Sequence, residues 1–145
     1  MVFIGLGTNL GDRYKNLSDA RTLISSYKEI EILKESSILE TDPVDFLDQP
    51  PFLNQIIALK TTLTPEKLLS LLQQIEFNMG KKVIIPKGPR LIDLDILLYN
   101  DLILTTSDLV LPHPGIKKRD FILKHLIELD DELSDPVSGI LYKEV

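Results

Sequence analysis

Two aspartates spaced two positions apart, Asp93 and Asp95, are the side chains in this sequence best suited to chemistry. They lie in Gly88-Pro89-Arg90-Leu91-Ile92-Asp93-Leu94-Asp95-Ile96-Leu97-Leu98-Tyr99, which alternates from Leu91 onward with the period-two spacing of a strand. Ile92, Leu94, Ile96 and Leu98 fall on one face and suit a core, whereas Leu91, Asp93, Asp95 and Leu97 fall on the other. Both carboxylates then project from the same side, their Cα atoms about 7 Å apart. Such a pair is unfavourable on an ordered strand unless positive charge sits beside it. A divalent cation would supply that charge, and Mg²⁺ takes one or two carboxylates together with water and phosphate oxygens. By itself the Asp-x-Asp pattern also fits the wet side of a one-sided sheet, so the surroundings of this strand decide its meaning.

Those surroundings are basic. Lys81, Lys82, Lys87 and Arg90 stand between positions 77 and 90 with no acid among them, and Lys117-Lys118-Arg119 forms a second cluster. The chain as a whole carries 16 Lys and Arg against 22 Asp and Glu, a net charge of -6. That balance argues against general nucleic-acid binding, and two local basic patches on an acidic background suit a small polyanion. Cysteine is absent, which excludes disulfides and thiolate chemistry and agrees with a reducing, cytoplasmic setting. With two histidines in the sequence a histidine-rich zinc site is excluded as well. The opening Met1 to Gly7 lacks a basic leader, and no apolar run reaches membrane-spanning length, so neither a signal peptide nor a membrane span is expected.

The elements that must position these residues follow from periodicity. At 145 residues with 43% hydrophobic and 26% charged content, one domain spanning 1–145 with its own core is expected. Val2 to Leu6 reads as a short strand ending in the glycine-rich loop Gly7-Thr8-Asn9-Leu10-Gly11. A helix follows from about Tyr14 to Tyr27, capped by Asp12. Ile30 to Leu39 reads as a strand, Glu40 to Pro51 as a proline-rich loop and Phe52 to Thr62 as a strand. Thr64-Pro65 opens a second helix that ends at Gly80. After the aspartate strand, Asn100-Asp101 turns into Leu102-Ile103-Leu104, read as its hairpin partner. Leu111-Pro112-His113-Pro114-Gly115 is a rigid connection, Asp120 caps a last helix, and Ile140 to Tyr142 adds an edge strand. The order β-α-β, β-α-β predicts an α+β, ferredoxin-like split βαβ fold. Its mainly antiparallel sheet would have helices on one face and a substrate cleft on the other.

Taken together, the Gly7 to Gly11 loop, Gln49-Pro50-Pro51-Phe52-Leu53-Asn54, Glu76, Gly88-Pro89-Arg90 with Asp93 and Asp95, and His113 to Phe121 resemble the 6-hydroxymethyl-7,8-dihydropterin pyrophosphokinases of folate biosynthesis. The resemblance covers nearly the whole chain, and its most specific motif, GPRxxDxDI, is met in full by Gly88 to Ile96. It implies transfer of pyrophosphate from ATP to the hydroxymethyl oxygen of the dihydropterin, releasing AMP, by a monomer that uses two Mg²⁺ ions. It further implies that Asp93 and Asp95 hold the metal and act in catalysis with Arg90 and Lys81. Phe52 and Phe121 would stack on the pterin, with Asn54 and the segment from Thr41 to Val44 reading its edge. Glu76, Lys82, Lys87, Arg90, His113 and Arg119 would serve ATP. No nucleic-acid or membrane partner is implied.

One stretch departs from the family pattern. The family has G-R-x-R after the glutamate, then another arginine and an aromatic just before GPR. Here Lys81 keeps the first charge, Val83 and Pro86 stand where arginines are expected, and Lys87 replaces the aromatic. Lysine is a point charge and not a fork, so an active enzyme with altered closure of this loop is expected. Two other readings stay open at this stage: a pterin- or nucleotide-binding module without catalysis, and an RNA-binding domain with an open sheet face.

Overall fold

Val2, Ile4 and Leu6 alternate with Phe3, Gly5 and Gly7 along the first strand, β1 (Val2–Thr8), so one of its faces is apolar up to Thr8 and the other is bare beyond Phe3. That asymmetry sets the architecture. The computed structural model describes residues 1–43, 48–81 and 88–145; Val44, Lys82 and Lys87 therefore lie outside the described residues. Helix α1 (Arg13–Ser25) starts where the Asp12 side chain accepts from the Lys15 N–H. Strand β2 (Ile30–Glu35), the short β3 (Leu39–Thr41) and the ten-residue β4 (Phe52–Thr61) follow. Helix α2 (Pro65–Asn78) opens on a Thr64 cap with proline at its first turn. Strand β5 (Asp93–Tyr99), strands β6 (Leu104–Thr105) and β7 (Val110–Leu111), and helix α3 (Asp120–Leu129) complete the order.

The main sheet runs β2-β4-β1-β5, with β3 continuing the β2 edge along β4, and every pair is antiparallel. Strands β1 and β2 thus flank β4, and β4 and β5 flank β1. This is the interleaved ferredoxin-like arrangement read from the element order. Helices α1 and α2 bury Leu17, Ile24, Leu68, Leu72 and Ile75 against Ile4, Leu6, Ile57 and Leu94 on one sheet face. The third helix lies on the other face, where Ile122, Leu126 and the tail residue Tyr142 pack on Phe3, Ile56 and Ala58. It covers part of that face and leaves a cleft beside it. Among the described residues no helix is long and apolar enough to cross a membrane.

Several boundaries differ from the periodicity reading, each for a physical reason. The β2–β3 stretch breaks at Ser36, whose N–H donates to the Ile56 carbonyl while its Oγ accepts from the Ile56 N–H, both at 2.9 Å. A side chain there replaces one rung of the ladder. Register also shifts along β5, where Phe3 pairs with Leu98 but Ile4 with Ile96. The extra residue is Leu97, so Leu98, expected beside Ile96 in the helix-side core, joins the opposite cluster. Leu104 pairs with Leu111 and not with β5. Asp120 begins α3, but Arg119 occupies the cap position without a side-chain bond. Ile140 to Tyr142 forms no strand: a single bridge joins Ser134 to Leu141, and a 3-10 turn covers Tyr142–Glu144.

Candidate active site

The floor of the cleft is a pair of cross-strand rows. Asn54, Gly7 and Asp93 stand side by side on β4, β1 and β5, and Ile56, Gly5 and Asp95 form the next row. Because β1 presents only glycines here, the flanking side chains look across bare backbone. A methyl group at Gly7 would meet nothing nearer than Asn54 Oδ1 at 3.6 Å, whereas one at Gly5 would press on Leu97 at 3.3 Å. Walls come from Thr41, Asp42 and Pro43 on one side and from His113, Arg119, Phe121 and Ile122 on the other.

At one end charge dominates. Lys81 Nζ lies 2.7 Å from Asp93 Oδ1, and Arg90 Nη1 lies 2.9 Å from Asp93 Oδ2. Lys81 also reaches Glu76 Oε2 at 3.1 Å, and the same oxygen accepts from the Leu94 N–H at 2.7 Å. Glu76 is buried on the helix side of β5 and does not line the cleft; it holds Lys81 and the strand backbone from behind. Burial pushes its carboxyl above the ordinary range despite the Leu94 N–H and Lys81. For Lys81, burial alone would lower the pKa, but Asp93 and Glu76 outweigh it and hold the ammonium charged.

Asp95 is different, forming no hydrogen bond or ion pair among the described residues. It is open to the solvent of the cleft yet ringed by protein atoms. That crowding pushes its carboxyl up first, the Asp93 charge second, with His113, Lys81 and Arg119 pulling back. With Lys81 and Arg90 both engaged by Asp93, Asp95 is the less compensated anion of the pair. His113 is tied down by its N–H to the Leu97 carbonyl at 2.9 Å, which uses the bulge in β5. Its Nδ1 accepts from the Gly115 N–H at 2.9 Å, so neutral imidazole carries its proton on Nε2. Burial pushes the His113 pKa down, against the attraction of Asp95.

The other end is apolar and aromatic, lined by Phe52, Phe121, Leu97 and Ile122. Asn54 Nδ2 donates to Thr41 Oγ1 at 2.6 Å and to the Leu39 carbonyl at 3.4 Å. Its Oδ1 is thereby left facing the cleft over Gly7. The nine residues Thr41, Phe52, Asn54, Arg90, Asp93, Asp95, His113, Arg119 and Phe121 line this one cleft. Lys81 reaches the site through Asp93 and Glu76 sits behind it. Among the described residues no group of three or more metal-ligating side chains exists. A cation on Asp93 and Asp95 would need water or phosphate oxygens to fill its shell, the habit of Mg²⁺. The centre of the sheet carries glycines and carboxylates where an RNA-binding sheet needs stacking aromatics.

Periodicity did not single out the polar residues that hold the cleft's two sides. Asn9 and Asn16 are buried, and Asn16 Nδ2 donates to Thr8 Oγ1 at 3.1 Å and the Leu10 carbonyl at 2.8 Å. Arg13 Nη1 donates to the Pro51 carbonyl and pairs with Glu40, both at 2.9 Å. The available signal was the run of polar residues threaded between glycines at a strand end, where a backbone must turn sharply and its groups need partners.

The family model for 7,8-dihydro-6-hydroxymethylpterin-pyrophosphokinase (HPPK) matches residues 3–131. The chain is 43% identical over 129 residues to the 2-amino-4-hydroxy-6-hydroxymethyldihydropteridine pyrophosphokinase of Bacillus subtilis, covering 89% of this chain and 77% of that protein. It is 38% identical to the protein of the same name from Aquifex aeolicus, covering 94% and 84%. Identity is 44% over 139 residues to the folic acid synthesis protein fol1 of Pneumocystis carinii, and there the chain spans 96% of itself but only 19% of the relative. A solved HPPK-DHPS structure in complex with substrates superposes with a TM-score of 0.76 at 15% identity, over 99% of this chain and 42% of that one. At that identity the likeness speaks to the fold alone.

Proposed function

Because the chain belongs to the 7,8-dihydro-6-hydroxymethylpterin-pyrophosphokinase family, we propose that its cleft binds ATP and 6-hydroxymethyl-7,8-dihydropterin and joins them. The hydroxymethyl oxygen attacks the β-phosphorus, the bond to the α-phosphate oxygen breaks, AMP leaves, and the hydroxyl proton is lost to solvent. The chain acts as one catalytic unit and a monomer, in the cytoplasm.

The observation that carries this reading is the placement of Asp93 and Asp95 on the same open sheet surface as Asn54 and Phe52, with Phe121 of α3 lining the same cleft. Asp93 and Asp95 would hold Mg²⁺, two ions being the expectation. The fit rests on Asp95, an anion set two residues along the strand from Asp93 and without an ion pair among the described residues. A metal held there would supply positive charge against the triphosphate. The protein's own part is positioning and charge. Arg90 orients Asp93 and can fork onto a phosphate oxygen. Arg119 and the Nε2 proton of His113 donate to the triphosphate from the α3 side. Lys81, anchored by Glu76, keeps positive charge at the cleft rim. Phe52 and Phe121 stack on the faces of the pterin, and Asn54 Oδ1 accepts from its amino edge. Fixing the hydroxymethyl group within about 3.5 Å of phosphorus converts a bimolecular encounter into an intramolecular one.

Incubating the protein with ATP, Mg²⁺ and the dihydropterin should release AMP in proportion to pterin consumed. Absence of AMP above background at saturating pterin, from protein shown to be folded, would reject the reading in favour of a binding module.

A further inference from the structure

The glycine-rich loop after β1 carries one side chain that touches both sides of the cleft without entering it. Asn9 is 1% exposed. Its Nδ2 donates to the Pro50 carbonyl at 2.9 Å and to Gln49 Oε1 at 2.8 Å. Its Oδ1 accepts from the Arg90 N–H at 2.7 Å, and its own N–H donates to the Arg90 carbonyl at 3.1 Å. Pro50 precedes Phe52 by two residues and Arg90 precedes Asp93 by three. One buried amide therefore joins the segment leading to the aromatic wall with the segment leading to the carboxylates.

We propose that Asn9 is a positioning residue that fixes the distance between the pterin-stacking wall and the metal-binding strand. The inference rests on the pyrophosphokinase reading of the cleft and goes beyond it in assigning this role to the loop. Residue type supports it. An amide offers two donors and an acceptor on one short planar group, which aspartate, serine or threonine cannot. The two prolines supply carbonyls but no N–H groups, so their segment depends on donors from elsewhere. Those donors are Asn9 for Pro50 and Arg13 for Pro51. Proline's restricted φ carries the tether stiffly into Phe52. On the other side, Asn9 takes both backbone groups of Arg90, and the next carbonyl, Leu91, accepts from Thr8 Oγ1 at 2.5 Å and Asn16 Nδ2 at 3.3 Å. The strand is thus anchored just ahead of Asp93, and Arg90 is steadied for its contact with that carboxylate.

The two sides can be released separately. Asn9→Asp keeps an acceptor for the Arg90 N–H but removes the donor from Pro50 and Gln49. It should raise the KM for the dihydropterin about tenfold while kcat and the KM for ATP stay within about threefold, in line with the sensitivity of bound reactants to small misplacements. Asn9→Ala releases both sides and should raise the pterin KM and lower kcat, each about tenfold. A role confined to stability would instead lower the folded fraction and leave the pterin KM of the remaining active protein unchanged. If the aspartate variant does not fold, the uncharged alanine variant carries the test. A pterin KM within twofold of wild type in the variants that fold overturns the proposal. Wild-type protein that makes no AMP overturns the reaction reading instead; pterin dissociation constants from fluorescence then test the tether, with the same tenfold weakening expected and equal affinities contradicting it.

Discussion

Asp93 and Asp95 are chemically identical, two positions apart, and differ in what surrounds them. Asp93 has a cation on each oxygen, Lys81 and Arg90, whereas Asp95 faces the cleft with its charge disfavoured by crowding and by Asp93. Their neutral isosteres should therefore act oppositely on stability. In metal-free buffer, Asp95→Asn is expected to melt at or a few degrees above wild type, about the scale a modest electrostatic relief gives. Asp93→Asn, which strands Lys81 and Arg90, should melt lower. Scanning calorimetry on both variants checks the pair, and an Asp95→Asn protein clearly less stable than wild type would show a structural carboxylate. Period-two alternation was enough to put both aspartates on one face. It could not tell them apart, because the contacts of Glu76 on α2 and of Lys81 just beyond that helix reach across to β5. Glu76 itself resembles any surface glutamate until the fold sets it against the Leu94 N–H.

Among the elements, the long strands β1, β4 and β5 and two capped helices were legible because their signals are local: alternation, a Thr64-Pro65 start, an Asp12 cap. The irregularities were not, since each is decided by a distant group. Leu97 bulges where the His113 N–H takes its carbonyl, and Ser36 breaks a strand by satisfying Ile56. The face chosen by α3 depends on where Tyr142 and the tail pack. That helix buries His125, 1% exposed, with no hydrogen-bond partner for its Nδ1 among the described residues. Burial pushes its pKa below the ordinary 6.5, the Glu128 carboxylate pulls it up and the Lys124 ammonium pushes it down, leaving a net lowering. The unfolded chain then binds the extra proton first, so this contribution to stability is full above about pH 6.5 and is lost as pH falls toward the folded-state value. His113 shifts in the same direction and adds to the slope. Urea denaturation between pH 7.5 and 5.5 should show wild type weakening, and His125→Phe should flatten part of that decline. An unchanged slope in the variant would contradict the assignment.

At the scale of the whole molecule, one sheet separates a helix-covered core from a second, smaller core, and the cleft opens beside the latter. The tail closes that smaller core and is held by Asp135. Burial would raise this carboxyl, but Lys117 at 2.6 Å, the Val137 N–H and the Ser138 hydroxyl together hold it below the ordinary range. Lys117, first noticed as part of a basic triplet, is thus occupied by structure, whereas Arg119 lines the cleft. Lys117 is half exposed, so Lys117→Met should cost about 1 kcal/mol in urea denaturation; no change would mean that the turn holds itself. The most direct test of the whole reading compares AMP release, with ATP, Mg²⁺ and 6-hydroxymethyl-7,8-dihydropterin saturating, between wild type and the double variant Asp93→Asn/Asp95→Asn, each verified as folded. A loss of about a thousandfold or more is expected, the scale on which removing preorganised charge from a reacting centre acts. Turnover equal to wild type would contradict it.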